Sequence, residues 1–98
     1  MDKVIELVKQ ACQKTKFIQK AWLFGSRAFE KSTDKSDYDF AFETKVNEVG
    51  PGDWGLFCSS LREKNPTLNT LDLVRFDEIS EEFKSKIKAE GRVIYEQT

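Results

Sequence analysis

Histidine is absent from this chain of 98 residues, so any chemistry it performs must do without a histidine base or a histidine metal ligand. Its two cysteines, Cys12 and Cys58, stand alone with no CxxC spacing, which argues against a disulfide framework or a zinc site. Both read as small core residues, kept reduced in a cytoplasmic setting. No signal-peptide pattern is visible, and no apolar run approaches the roughly 20 residues needed to cross a bilayer. A cytoplasmic protein without a membrane partner is therefore expected.

Excess charge is missing too, since 16 Lys and Arg face 17 Asp and Glu for a formal net charge of −1. The signs are unevenly spread: residues 1–35 hold eight basic and four acidic side chains, residues 36–98 eight and thirteen. The basic half would favour a polyphosphate ligand, whereas the overall balance argues against direct nucleic-acid binding. A solvated surface of mixed sign accounts for the same numbers. With 39% hydrophobic residues, one domain spanning 1–98 with a single modest core is expected, and no second substrate domain fits. No repeat or low-complexity tract is present.

What the chain does have is concentrated in residues 24–39. Ala21-Trp22-Leu23-Phe24 is an apolar, aromatic run that reads as the end of a buried strand, and Gly25-Ser26 breaks it. A short helix starting at Ser26 would aim free backbone N–H groups at the strand end, an arrangement suited to phosphate. Arg27 would add a forked donor, or else a surface ion pair with Glu30 or Asp34. Asp37-Tyr38-Asp39 then opens a second apolar run, Phe40-Ala41-Phe42, and in an extended chain residues i and i+2 share a face. Two carboxylates so placed repel each other unless a proton or cation lies between them. Oxygen ligands of this kind suit Mg²⁺ or Mn²⁺. A third carboxylate, Asp72, interrupts the strand-like stretch Thr70-Leu71-Asp72-Leu73-Val74, an expensive place for an unpartnered charge unless it faces solvent. Three strand carboxylates beside a phosphate-suited turn point to a two-metal phosphoryl-transfer site.

Gly25-Ser26-Arg27, then Ser36-Asp37-Tyr38-Asp39, then Asp72 on a later strand resembles the minimal nucleotidyltransferases of the DNA polymerase β superfamily, over roughly the whole chain. The combined pattern is specific, although Gly-Ser-Arg alone is not. One departure bears on how the turn handles a triphosphate: Phe29 and Glu30 stand where the family usually has Arg and Gly. The resemblance implies that Asp37 and Asp39 hold the metal bridging a nucleoside triphosphate, with ATP as the implied donor. Gly25, Ser26, Arg27 and Ser36 would bind the nucleotide, and Asp72 would complete a second metal site or take the acceptor's proton. It also implies a partner, because such proteins pair with an all-helical HEPN toxin as the antitoxin of a toxin–antitoxin system and attach AMP to a tyrosine of the toxin. Two alternatives remain open, a module that works by contact alone and a small-molecule transferase of the antibiotic-modifying kind. A homo-oligomer using the same surface is a further alternative, and the sequence does not choose the nucleobase.

Elsewhere the pattern predicts an α/β fold, a small mixed sheet with helices on one face. Val4, Val8, Ala11 and Cys12 recur at helical spacing within 2–15, with Ile5 alongside. Strands are expected over 18–24, about 38–43 and 70–76, with the polar segment 30–35 returning the chain to the second. Asn47–Gly52 reads as a loop and Asp53 as the cap of a helix carrying Trp54, Phe57, Cys58 and Leu61 inward, with base stacking as an alternative for Trp54. Asn65-Pro66 stops that helix. Ser80 starts another that Gly91 closes, before Val93-Ile94-Tyr95 forms an edge strand or a partner contact. Ser36 would otherwise only cap a turn, and Asp34 and Asp77 read as solvated charges.

Overall fold

The computed structural model describes residues 2–29 and 36–98. The elements run α1 (Lys3–Gln13), β1 (Ile18–Phe24), a 3₁₀ turn (Gly25–Phe29), β2 (Tyr38–Thr44), α2 (Asp53–Lys64), β3 (Leu71–Arg75), α3 (Glu81–Glu90) and β4 (Arg92–Glu96). The expected return segment 30–35, with Glu30 and Asp34, lies outside the described residues.

The strands form one sheet in the order β3-β2-β1-β4. β1 is central and antiparallel to both β2 and β4, while β2 and β3 are parallel. A parallel pair needs a crossover of about a dozen residues or more, and α2 with its flanking loops supplies it. The mixed α/β sheet agrees with the expectation, as does β4 as an edge strand.

Side-chain alternation divides the sheet into two faces. Ile18, Ala21 and Leu23 of β1, Tyr38, Phe40 and Phe42 of β2, and Leu71 of β3 point to the face covered by α1 and α2. There Val4, Val8 and Cys12 of α1 meet Phe57, Cys58 and Leu61 of α2. Phe40 and Phe42 are fully buried, and Phe57 meets Phe42 edge to face at 5.2 Å. Trp54 belongs to the same aromatic layer, 5.6 Å from Phe42 and 5.7 Å from Phe57, so it is core packing and not a base-stacking platform.

The opposite face differs from the expectation that helices would lie on one side. Trp22, Ala41, Phe76 and Ile87 make a second, smaller cluster there, with Phe24, Val74 and Phe83 against it. Those β1 and β2 residues are the alternates of the first set, so the strands are apolar on both faces and α3 must cover part of the second. Trp22 stacks on Phe76 at 4.6 Å.

Two polar details also differ. Asp53 is the first residue of α2, not its cap; the capping position is Gly52, at φ +83°. The Asp53 carboxylate instead accepts from the Gly50 N–H at 2.8 Å, closing the loop behind it. Asp77 is not a free solvated charge, because Arg75 Nη2 lies 3.0 Å from its Oδ2.

Gly91 ends α3 for a steric reason. A methyl group there would stand 2.5 Å from the Ile87 carbonyl oxygen and 3.3 Å from that of Leu23, both fixed backbone atoms that hold α3 against β1. Gly55, inside α2, has nothing within 4 Å of the same position. Gly91→Ala should therefore destabilise the protein by about 1–3 kcal/mol, while Gly55→Ala should stabilise it by about 0.5–1 kcal/mol through helix propensity. Urea unfolding of the two variants checks this, and equal effects would contradict the packing of α3 on β1.

Candidate active site

Parallel pairing of β2 with β3 sets Asp39 directly beside Asp72, and antiparallel pairing of β1 with β2 sets Phe24 on the other side of Asp39. The three side chains form a row across the sheet on the face that α3 only partly covers. Strand register holds the Asp39 and Asp72 carboxyls side by side, where two like charges repel and a proton or a cation between them is favoured. Burial, the neighbouring Asp72 carboxyl and the Asp37 charge together push the Asp39 carboxyl up to about 6 from its ordinary 3.8.

Asp37 stands just ahead of β2 on the same side, exposed, and its Oδ1 accepts from the Thr70 N–H at 3.3 Å. This contact ties it to the entrance of β3, next to the Tyr38 N–H to Thr70 carbonyl bond of 3.0 Å. Asp37 lies near enough to Asp39 for its charge to add to the rise of the Asp39 carboxyl.

Gly25 is fixed by the site for two separate reasons. Its φ of +74° lies in the left-handed region, which glycine occupies without penalty. In addition, a methyl group at Gly25 would stand 2.5 Å from Asp39 Oδ2. The turn backbone is thus pressed against the carboxylate, leaving Ser26 exposed at its outer side. The expected helix after Gly25 is a 3₁₀ turn of five residues, so a phosphate there would meet individual N–H groups and no long helix dipole.

Arg27 is not brought to the carboxylates. Its Nε and Nη2 donate to the Ser36 carbonyl at 3.1 and 2.8 Å, and its guanidinium lies 3.8 Å over the Tyr38 ring. Tyr38 OH donates to Asp2 Oδ2 at 2.7 Å, with Arg27 Nη1 4.0 Å from the same oxygen. Tyr38 belongs to the face covered by α1, so Arg27 points to the side of the sheet opposite Asp39. Its fork closes on Ser36 alone, which takes part through its backbone carbonyl.

Asp2 is a residue that sequence reasoning missed. It caps α1, accepting from the Val4 and Ile5 N–H groups at 2.8 and 3.2 Å. Burial opposes its ionisation, but the hydrogen bonds from Tyr38, Ile5 and Val4, with the Arg27 charge, hold its pKa below the ordinary value. An Asp immediately before an apolar helical pattern was the available signal; the link to Tyr38, 36 residues away, left none.

The donor set can be tested against a divalent cation. Asp39 and Asp72 supply only carboxylate oxygens and stand side by side in register, which fits a hard ion such as Mg²⁺ held by one or two carboxylates with water completing its shell. Among the described residues no three acidic or thiol side chains are already gathered as a metal site. Asp37 accepts from the Thr70 N–H through Oδ1, which leaves its second oxygen for a cation.

The sequence profile described as Polymerase beta, Nucleotidyltransferase matches residues 6–98, and the chain belongs to that family. No curated protein matches the sequence significantly. Among solved structures, a toxin-antitoxin crystallised with AMP-PNP is similar at TM-score 0.74 and 16% identity, covering 96% of this chain and 74% of that one. The MntA-HepT toxin-antitoxin gives TM-score 0.67 at 15% identity, covering 96% and 71%. A protein from Shewanella oneidensis gives 0.65 at 14%, covering 99% and 74%. These likenesses establish the nucleotidyltransferase fold.

The raised Asp39 pKa has a definite consequence. Between the unfolded value of 3.8 and the folded value of about 6, the folded state binds more protons than the unfolded one, so Asp39 makes stability fall as pH rises through that window. In metal-free buffer, Asp39→Asn should remove this fall and be at least as stable as the parent at pH 7, by chemical denaturation across pH 4–7. A variant markedly less stable at pH 7 would make Asp39 a structural acceptor.

Proposed function

We propose that this protein is a metal-dependent nucleotidyltransferase that moves a nucleoside monophosphate, AMP from ATP, onto a hydroxyl group. The acceptor is a tyrosine of a helical HEPN-type toxin, and the chain acts as its antitoxin in the cytoplasm. The observation that carries the reading is the position of Asp39, in contact with Asp72 on one side and pressed against the Gly25 turn on the other. A phosphate chain laid over the turn would put its α-phosphorus beside the carboxylates.

Asp37 and Asp39 would hold the cation, and Asp72 would anchor a second. A bound Mg²⁺ supplies charge neutralisation for the triphosphate and the leaving pyrophosphate. Gly25 and Ser26 present backbone N–H groups to the terminal phosphates, and Gly25 lets them approach without a side chain in the way. Asp72, exposed on edge strand β3, is the carboxylate an incoming hydroxyl reaches first, and it takes that proton. The acceptor oxygen bonds to the α-phosphorus as the bond to the β-phosphate's bridging oxygen breaks, and pyrophosphate departs on the turn side, in line. The partner presents the acceptor, as the toxin-antitoxin pairing of the similar folds suggests. Phosphate charge added to its tyrosine would disturb a site that binds RNA.

A second reading is favoured by one observation. The Arg27 fork is engaged by Ser36 and Tyr38, and with Phe29 and Glu30 in place of the family's usual Arg and Gly the turn offers less positive charge to a triphosphate. A module that neutralises its partner by contact alone needs none.

Two measurements separate the readings. Mg²⁺ with ATP should raise the melting temperature more than ATP with a chelator; the same melting temperature in both would contradict the metal site. Incubating the chain and the protein that co-purifies with it from its native host with labelled ATP and Mg²⁺ should label the partner, and Asp39→Asn should abolish the label. A complex that inhibits the partner equally well without nucleotide would establish the contact module.

A further inference from the structure

A cleft of about 380 Å³ opens beside the carboxylate row, lined by Phe24, Gly25, Phe83, Lys86, Ile87 and Glu90. It lies between the end of β1 and α3, on the side of Asp39 away from Asp72, because Phe24 is the cross-strand neighbour of Asp39 just as Asp72 is on the other flank. Of its lining residues only Gly25 takes part in the proposed phosphate and metal chemistry. We propose that this cleft seats the purine ring of the donor nucleotide, an inference that rests on the transferase reading.

Three features select the occupant. First, the floor is aromatic and aliphatic: Phe24 and Phe83 meet edge to face with centroids 5.7 Å apart and planes at 85°, and Ile87 completes it. Such a floor takes a flat ring by stacking and dispersion and repels a phosphate, which would lose its hydration there. Second, the mouth carries one donor and one acceptor, the exposed Lys86 and Glu90, four positions apart on α3 and so on one side of the helix. A purine edge offers both donors and acceptors to such a pair. A tyrosine ring would leave both charges unused, and its hydroxyl would be buried on the wrong side of Asp39. Third, Gly25 both lines the cleft and touches Asp39, so one ligand reaches the carboxylates and the cleft across a single residue. A bicyclic base covers more of the Phe24–Phe83 floor than a pyrimidine does, and both adenine and guanine present the required edge.

The test is calorimetric titration of the full chain in Mg²⁺ with ATP, GTP, CTP, UTP and inorganic tripolyphosphate. A purine triphosphate should bind about tenfold more tightly than tripolyphosphate, the scale of one stacked base, and more tightly than either pyrimidine triphosphate, whose smaller ring covers less of the floor and sets its edge short of Lys86 and Glu90; the ATP and GTP arms identify which purine. The exposed double variant Lys86→Met with Glu90→Gln should weaken the preference for purine over pyrimidine and keep its affinity for tripolyphosphate. Metal-dependent tripolyphosphate binding with equal affinity for all four nucleotides would overturn the cleft assignment and leave the transferase reading standing, as would a double variant that keeps the full purine preference. Absence of any metal-dependent binding would overturn both.

Discussion

Two carboxylates forced side by side by strand pairing are the constraint on which the rest of the site depends. Asp39 and Asp72 meet because β2 and β3 are parallel and in that register, not because their side chains attract. Partial burial and mutual repulsion make the ionised pair unfavourable, and this raises the Asp39 carboxyl toward neutral pH. A divalent cation is the other way to resolve it. The same strain that disfavours the empty, ionised site makes it receptive to metal. The packing that enforces the register is the Phe40, Phe42 and Phe57 layer on the opposite face, far too tightly interlocked for β2 to slip by a residue.

Around this pair the fold keeps the carboxylates and the groups that brace the turn on opposite faces. On the face of α1, Asp2, Tyr38 and Arg27 tie the helix cap, the turn and the start of β2 together. On the other, Gly25 lets the turn backbone approach Asp39 where any other residue would collide. Arg27 thus braces the turn from the far side, while on the side of Asp39 only the Gly25 backbone meets the carboxylate. An arginine that stacks on a ring and forks onto a carbonyl is not replaceable by lysine, which has neither the plane nor the fork.

Much of this was legible in the sequence, for local reasons. The strand ends at Gly25, the alternation that puts Asp37 and Asp39 on one side, the strand around Asp72 and the helical spacing of Val4, Val8 and Cys12 are all set by neighbours within a few positions. The α/β class, the mixed sheet and the family follow from them. What the sequence concealed was long-range. That Arg27 turns toward Tyr38 depends on a tyrosine and an aspartate at opposite ends of the first half of the chain. The second helical face went unread because Trp22 and Ala41 looked like ordinary members of apolar runs, whereas strands apolar on both faces imply cover on both. Gly52 taking the cap position left Asp53 to close a loop, a choice between two adjacent residues that local preference does not decide.

The account stands or falls on the protonation of one side chain. Carbon-13 NMR titration of the aspartate carboxyls in metal-free protein reads it directly. Asp39 should titrate near 6, as its surroundings dictate, and saturating Mg²⁺ should drive that titration to much lower pH because a bound cation favours the ionised carboxylate. An Asp39 carboxyl that titrates near 3.8 in the metal-free protein, or one that Mg²⁺ leaves unmoved, would contradict the coupled pair and the cation site built on it.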